Sequence, residues 1–490
     1  MELFLHSLVV ALSPINLFFS IIGVIIGIII GELPGLTSTM GVALFIPITF
    51  SMSPTTGLIT LAAVYIGSVY GGSISAILIN TPGTPAAIIT TLDGYKMTQK
   101  GEGSRAIGIS TISSFIGGLI GGISLLFISP LLAQLVLKFG PGEIFFVAVL
   151  GLTVIISLSK ENMVNGLIAG FLGILLGTIG TDNLTGAYRY TFDNPSLYEG
   201  IPLVPAVIGL YSLGQVFSLV HEAKKSIVFD KSVVKEKVLP SWEDIKKIWK
   251  ITIKGGIIGT IVGIIPGAGV SIGSMISYNE AKRTHPHPEK FGTGIIEGVA
   301  ASESGNNGVV GGSLIPLITL GIPGNAVAAV FLGGLMIHGL RPGNTLFTKN
   351  IGITYPFLIG FIVAHFIMLV AGLSAARYFA RIATFPISAL VPVILSLSVV
   401  GSYAIRNNYF DVIIMLLFGI SGYILKTAKI PLAPLVLGII LGPMAETQLR
   451  RALMINGGNP LLLLKSPINI VVLILIILSV LWPFMKKRAA

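Results

Sequence analysis

Long apolar stretches punctuated by glycine and proline set the rhythm of this chain. No Asp, Glu, Lys or Arg occurs between Glu32 and Asp93. Further charge-free runs cover 106–137, 162–181, 255–279, 382–405 and 466–485. A helix crosses the hydrocarbon core with about 20 apolar residues, so runs of this size predict roughly 10–14 spanning or half-spanning segments. The expected fold is an all-α polytopic membrane protein, with discontinuous helices or re-entrant hairpins where Pro and Gly interrupt a run.

Composition sharpens this reading. Of 490 residues, 53% are hydrophobic and 10% charged, where a soluble domain carries about 25% charge. The net charge of +11 does not point to nucleic acid, because the basic residues gather in the way that keeps loops on the cytoplasmic side. Residues 221–250 hold eight lysines against five acids, and the chain ends on Lys486, Lys487 and Arg488. The most polar segment, 221–254, is expected to be a cytoplasmic or interfacial linker, with Trp242 and Trp249 at headgroup depth. It separates an N-terminal membrane repeat, 1–220, from a C-terminal one, 255–490. The first residues, Met1 to Ser13, read as the edge of the first membrane segment, since they lack a basic n-region and a cleavage site. With no cysteine, disulfides, thiolate metal sites and Cys nucleophiles are excluded.

The two halves repeat one another. Gly31-Glu-Leu-Pro34-Gly35, followed by Thr39 and Gly41, matches Gly263-Ile-Ile-Pro266-Gly267, followed by Ser271 and Gly273, at an offset of 232 residues. A second pair follows in the same order. Gly71-Gly72-Ser73 leads to Asn80-Thr81-Pro82-Gly83-Thr84, and Gly311-Gly312-Ser313 leads to Gly321-Ile322-Pro323-Gly324-Asn325, with one extra residue between. A duplicated carrier of this kind is commonly built from inverted repeats.

Pro-Gly inside an apolar run breaks a helix, and the freed backbone groups persist only where protein or a watery cavity satisfies them. A helix restarting after such a break presents free N–H groups and the positive end of its dipole, which suits an anion. The candidate substrate site is therefore built from Pro34, Gly35, Thr37, Ser38 and Thr39, from Ser73 with Asn80, Thr81, Pro82, Gly83 and Thr84, from Pro266, Gly267, Ala268, Gly269 and Ser271, and from Pro323, Gly324 and Asn325. Ser274 lies beside the third restart. The facing helix ends offer carbonyls that, with Asn and Ser oxygens, can coordinate Na+ near the same breaks. Close packing of small residues is the alternative reason for the glycines.

Intramembrane polar residues add candidates for ion coupling. Glu303 with Asn306 and Asn307 can bind a cation or relay a proton, and Glu32 stands beside the first break. Asp93-Gly94 reads as a turn leading to a basic loop, and His338 and His365 as packed residues, not metal ligands. No Walker A loop is present, and no Ser, His and Asp form a recognisable nucleophile setting. An enzyme is not expected, nor a cofactor beyond a coupling Na+ or H+.

These motifs, together with Tyr70-Gly-Gly-Ser-Ile-Ser, Leu92-Asp-Gly-Tyr95, Glu297-Gly-Val-Ala-Ala301, Ile337-His-Gly-Leu-Arg-Pro-Gly343 and Leu441-Gly-Pro443, resemble those of the large membrane subunit of the tripartite tricarboxylate transporter family. The resemblance runs in order along nearly the whole chain. It implies an elevator-like secondary transporter of the inner (plasma) membrane that imports citrate-like tri- and dicarboxylates on a Na+ or H+ gradient. Its partners would be a small membrane subunit and an extracytoplasmic solute-binding protein. The other readings are a same-fold carrier for another solute without a binding protein, and a membrane channel or scaffold. The chain departs from the family pattern at Glu32, where a small or apolar residue is usual, and at Ser302-Glu303-Ser304, where Pro-Glu-Ala is common.

Overall fold

Apolar runs of this length have one way to satisfy their backbone, and the chain takes it. The computed structural model describes residues 2–33, 35–157, 163–182, 184–222, 238–382 and 387–488. Its helices are α1 (Glu2–Ala11), α2 (Pro14–Glu32), α3 (Ser38–Thr49), α4 (Pro54–Ile79), α5 (Thr91–Gln99), α6 (Gly103–Val136), α7 (Pro141–Ser157), α8 (Met163–Gly177), α9 (Leu203–Val207) and α10 (Gly214–Glu222). There follow α11 (Trp242–Ile264), α12 (Gly269–Thr284), α13 (Ile296–Leu320), α14 (Ala326–Ile337), α15 (Asn344–Thr348), α16 (Ile351–Ile382), α17 (Ile387–Arg406), α18 (Tyr409–Thr427), α19 (Leu432–Ile455) and α20 (Pro467–Arg488). Among the described residues eight helical segments are long and apolar enough to cross a membrane, namely α2, α4, α6, Leu203–Val220, α16, α17, α18 and α19. Six shorter apolar helices, α1, α3, α7, α8, α14 and α20, accompany them. This is an all-α polytopic membrane protein.

The chain forms two compact units, Met1–Leu131 with Gln215–Leu397, and Leu132–Gly214 with Ser398–Ala490. Each draws on both sequence halves. Of the polar segment 221–254, residues 223–237 lie outside the described residues. Its last part is helical, α11 running unbroken from Trp242 to Ile264. Ser241 starts that helix with a capping box, its Oγ accepting from the Asp244 amide at 3.1 Å and the Asp244 carboxylate accepting from the Ser241 amide at 3.2 Å. Arg105, in the first turn of α6, is ion-paired with the same Asp244.

In the first unit, glycine permits two helix pairs to touch backbone to backbone. A Cβ on Gly23, Gly27 or Gly31 of α2 would meet the α4 carbonyls of Thr60, Val64 and Ser68. On α11 the positions 232 residues later, Gly255, Gly259 and Gly263, face the α13 carbonyls of Ala301, Gly305 and Val309. The numbers rise together in both pairs, so α2 runs parallel to α4 and α11 to α13. The shorter α3 and α12 fill the return path between them.

The same contacts correct the register expected for the second motif. Each α4 position corresponds to the α13 position 241 residues on, as Thr60 does to Ala301 and Ser68 to Val309. Gly71 therefore answers to Gly312, and Gly72 to Ser313, with no extra residue before the break. Gly71 packs on the Ile28 carbonyl as Gly312 does on that of Thr260. Matching identical triplets misled by one residue, because the register follows whichever small residue faces the partner backbone.

The two repeats point in opposite directions. Tyr65 Oη lies 3.3 Å from Ser313 Oγ, whereas Thr90 Oγ1 lies 3.0 Å from Ser302 Oγ. On α6, Thr111 and Ser110 pair with Tyr70 and Ser73 of α4 in reverse order, while Gly117 and Gly121 meet Ser304 and Gly308 of α13 in rising order, so α4 and α13 run antiparallel. Advancing along the first repeat thus means retreating along α13, and the repeats are inverted.

In the second unit, α8 and α19 approach through Gly173 and Gly438. The connection after α8 carries a two-residue hairpin, Gly180–Thr181 with Tyr188–Arg189. Asp182 closes its turn by accepting from the Leu184 and Thr185 amides at 2.8 and 2.9 Å. Ion pairs from Asp182 to Arg450, and from Arg189 to Glu446 at 2.7 Å, pin it to α19.

Candidate functional site

All four Pro-Gly breaks belong to the first unit. The first follows Glu32, at the end of α2. Pro34 lies outside the described residues, while Gly35 adopts φ +90° and its carbonyl accepts from the Gln215 side chain. Thr37 caps α3, its Oγ1 accepting from the Met40 amide at 3.2 Å, and Ser38 and Thr39 are buried in the first turn. At the second break Asn80 ends α4 in the left-handed region, φ 53°. That conformation suits Asn or Gly at a helix end. Gly83 donates to the Gly72 carbonyl at 3.3 Å and has room for no Cβ against the Gly31 carbonyl. Thr81 turns its hydroxyl onto the Ile79 carbonyl, and Pro82 is half-buried beside it.

The second repeat reproduces this geometry at the stated offsets. Gly321 ends α13 in the left-handed region at φ 74°, as Asn80 does α4. Gly324 donates to the Ser313 carbonyl at 3.2 Å, as Gly83 does to Gly72. Pro323 is buried behind it. Gly267, φ +81°, corresponds to Gly35, and its amide donates to the Gly324 carbonyl at 2.8 Å, so breaks three and four are bonded directly. Pro266, Ala268 and Gly269 complete the loop into α12. Ser271 then donates to the Pro85 carbonyl at 2.8 Å, which ties α12 to the turn after the second break. Symmetrically, α14 packs on α3. Each restart thus sits beside a restart from the other repeat, and restarting helices present first-turn amides that no intrahelical carbonyl satisfies.

The caps of the second and fourth breaks differ. Asn325 Oδ1 accepts from the Ala328 amide at 2.8 Å, and Nδ2 donates to Tyr65 Oη at 2.8 Å. Its counterpart Thr84 is equally buried, yet its hydroxyl has no partner. Ser274 is likewise buried and unpartnered. Ser73 lies inside α4, not at a break, and pairs with Ser110 at 2.8 Å.

Glu303 lies two turns into α13, fully buried. One carboxylate oxygen accepts from Thr90 Oγ1 and from Asn306 Nδ2 at 3.2 Å, and the other from Ser114 Oγ at 2.9 Å. Asn307 donates to the Glu303 carbonyl at 3.1 Å and leaves its own Oδ1 unpartnered. Beside this cage Tyr70 and Thr111 share a 2.7 Å hydrogen bond. Glu32 is also fully buried, but neither of its carboxylate oxygens has a partner. Tyr70 stands within electrostatic reach of both Glu303 and Glu32.

Sequence reasoning missed Thr90, Ser110, Thr111 and Ser114, although the hydroxyl run Ser110-Thr111-Ile-Ser113-Ser114 inside an apolar helix was a usable signal. It also misjudged Asp93, which belongs to helix α5, not a turn. Asp93 Oδ1 accepts from the amides of Gly292, Gly294 and Ile295 at 2.9, 2.8 and 3.1 Å, and Oδ2 from Tyr278 Oη at 2.8 Å. His365 is buried with Nδ1 2.9 Å from the Phe361 carbonyl, and among the described residues no group of His, Asp and Glu could hold a metal ion.

Comparison with known proteins agrees with this architecture. Residues 17–437 match the family described as tripartite tricarboxylate transporter TctA. The chain is 37% identical over 461 residues to an uncharacterised 52.8 kDa protein in the TAR-I ttuC′ 3′ region of Agrobacterium vitis, covering 94% of this chain and 91% of that one. A protein in the TAR-II ttuC′ 3′ region of the same organism is 35% identical over 210 residues, covering 43% of this chain and 87% of the relative.

Proposed function

This chain belongs to the tripartite tricarboxylate transporter TctA family, and on that footing we propose that it is the translocating subunit of a secondary carrier for small di- and tricarboxylates. The observation that carries this reading is the assembly of four helix restarts, two from each of two inverted repeats, within one unit. Restarts with free amides and buried hydroxyls favour carboxylate oxygens over neutral or cationic solutes. Thr37, Ser38, Thr39, Thr84, Ser271 and Asn325, with the Pro-Gly loops that position them, form the substrate site in this proposal. Glu32, Glu303, Asn306 and Asn307 couple transport to Na+ or H+, and the breaks' carbonyls are where Na+ would bind. A small membrane subunit and an extracytoplasmic binding protein complete the complex, in the inner membrane.

Uptake of labelled citrate and dicarboxylates into proteoliposomes containing the assembled complex tests the reading. Asn80→Ala, Pro82→Ala and Asn307→Ala should each cut uptake severely while the protein still inserts. Near-normal rates in all three, or uptake of none of these acids by the intact complex, would contradict it.

A further inference from the structure

Among the described residues Glu32 is a carboxylate beside a break with no hydrogen-bond partner. It sits on the last turn of α2, 0% exposed, and both oxygens lack a hydrogen-bond partner. Glu303, in the same fold unit, has three side-chain donors. The two acids therefore differ in what surrounds them. Burying an isolated ionised carboxylate costs far more than burying the neutral acid, and Glu32 is the acid with no donor to offset that cost.

Among the described side chains no cation compensates Glu32. On α4 the titratable group that faces it is Tyr70, with Glu303 of α13 beyond. The α3 helix and the stretch 80–92 contain no titratable residue. On α16, which also packs on α2, His365 is engaged with Phe361, and Tyr355 and Tyr378 lie to either side. Arg377 and Arg381 come five and nine residues after Gly372, the α16 residue packed at Tyr70. On α1 the titratable residues, Glu2 and His6, precede the far end of α2.

We propose that Glu32 carries the proton whose downhill entry drives this carrier. The inference rests on the carrier reading above and names its coupling ion. A proton from water on the outer side binds one Glu32 oxygen as the anion binds the restarts, and both leave to water on the inner side. No covalent bond changes. The coupling is Coulombic, because an ionised Glu32 repels an anion held at the adjacent α3 restart, and the neutral acid admits it. Linkage makes the effect reciprocal, on the order of 10- to 100-fold in affinity. The 232-residue offset places Ile264 at the matching position of the second repeat, so that repeat carries no acid there.

Two measurements test the assignment. Infrared difference spectra of the purified protein in lipid nanodiscs at neutral pH should show a carboxylic-acid carbonyl band that is missing from Glu32→Gln. In proteoliposomes with the full complex and no Na+, an inward proton gradient should raise citrate uptake tenfold or more, and Glu32→Gln and Glu32→Ala should both lose that stimulation. A spectrum in which Glu32→Gln removes no acid band, or gradient stimulation that survives in both variants, overturns the proposal. So does wild-type uptake that follows a Na+ gradient and ignores protons. If the wild-type complex transports none of the acids, the carrier reading fails separately, while the infrared band still decides whether Glu32 holds a proton.

Discussion

Asp93 offers the sharpest test of how the first unit is held together, because a single carboxylate there joins three segments. It is 1% exposed and accepts four hydrogen bonds, three from the backbone ahead of α13 and one from Tyr278 of α12. Asp93→Ala removes every acceptor and strands those donors. Each stranded buried donor costs about 1–3 kcal/mol. The amides at Gly292 and Gly294 are near the surface, where water relieves part of the cost, so the low end of the range applies and the total is about 4 kcal/mol. Asp93→Asn keeps Oδ1 for the three amides, and the Tyr278 hydroxyl can reverse to accept from the new amide. That change should cost about 1 kcal/mol, for the loss of charge-assisted bonds. A unit of about 300 residues has an unfolding entropy near 0.6 kcal/mol/K, so Asp93→Ala lowers Tm by ~6 °C and Asp93→Asn by ~2 °C. Thermal unfolding of the purified protein in detergent, followed by loss of the monodisperse peak, measures both. Equal damage from the two substitutions would show that charge, not acceptor geometry, holds the clasp. A shift under 1 °C for Asp93→Ala would refute the clasp itself.

Three further outcomes follow from the packing. Gly31→Val and Gly263→Val should each cost at least 1–3 kcal/mol by overpacking and abolish a stable fold in detergent, while Gly352→Ala, a helical site with open space around it, should leave Tm within 1 °C. Asn325→Ala should destabilise by about 1–2 kcal/mol through loss of a cap, whereas Thr84→Ala, at the matching cap with an idle hydroxyl, should be neutral in stability and lower only transport; equal melting losses would contradict the asymmetry. The Arg450 guanidinium, with the amides of Thr185 and Leu184, holds the Asp182 carboxyl well below its usual range. Its contribution is present at neutral pH and is lost on acidification below about pH 4, so Asp182→Asn should lower Tm at pH 7 and flatten its fall toward low pH, and parallel Tm–pH curves would count against it.

The membrane class, the helical fold and the duplication were legible from residue type alone, since hydrocarbon leaves an apolar chain no other way to pair its backbone. The Pro-Gly interruptions also announced themselves, because proline removes a backbone donor and glycine relaxes the backbone. Three things waited for the tertiary structure. The 241-residue register could not be read from a repeated Gly-Gly-Ser, as identity of side chains says nothing about which glycine faces a neighbouring backbone. The inversion of the repeats is a relation between α4 and α13, and it appears only when Tyr65 is found at Ser313 and Thr90 at Ser302. The different fates of Glu32 and Glu303 are set by distance as well. Both are acids in apolar sequence, but three hydroxyl and amide donors from α6, α13 and the turn before α5 converge on one, and none reaches the other.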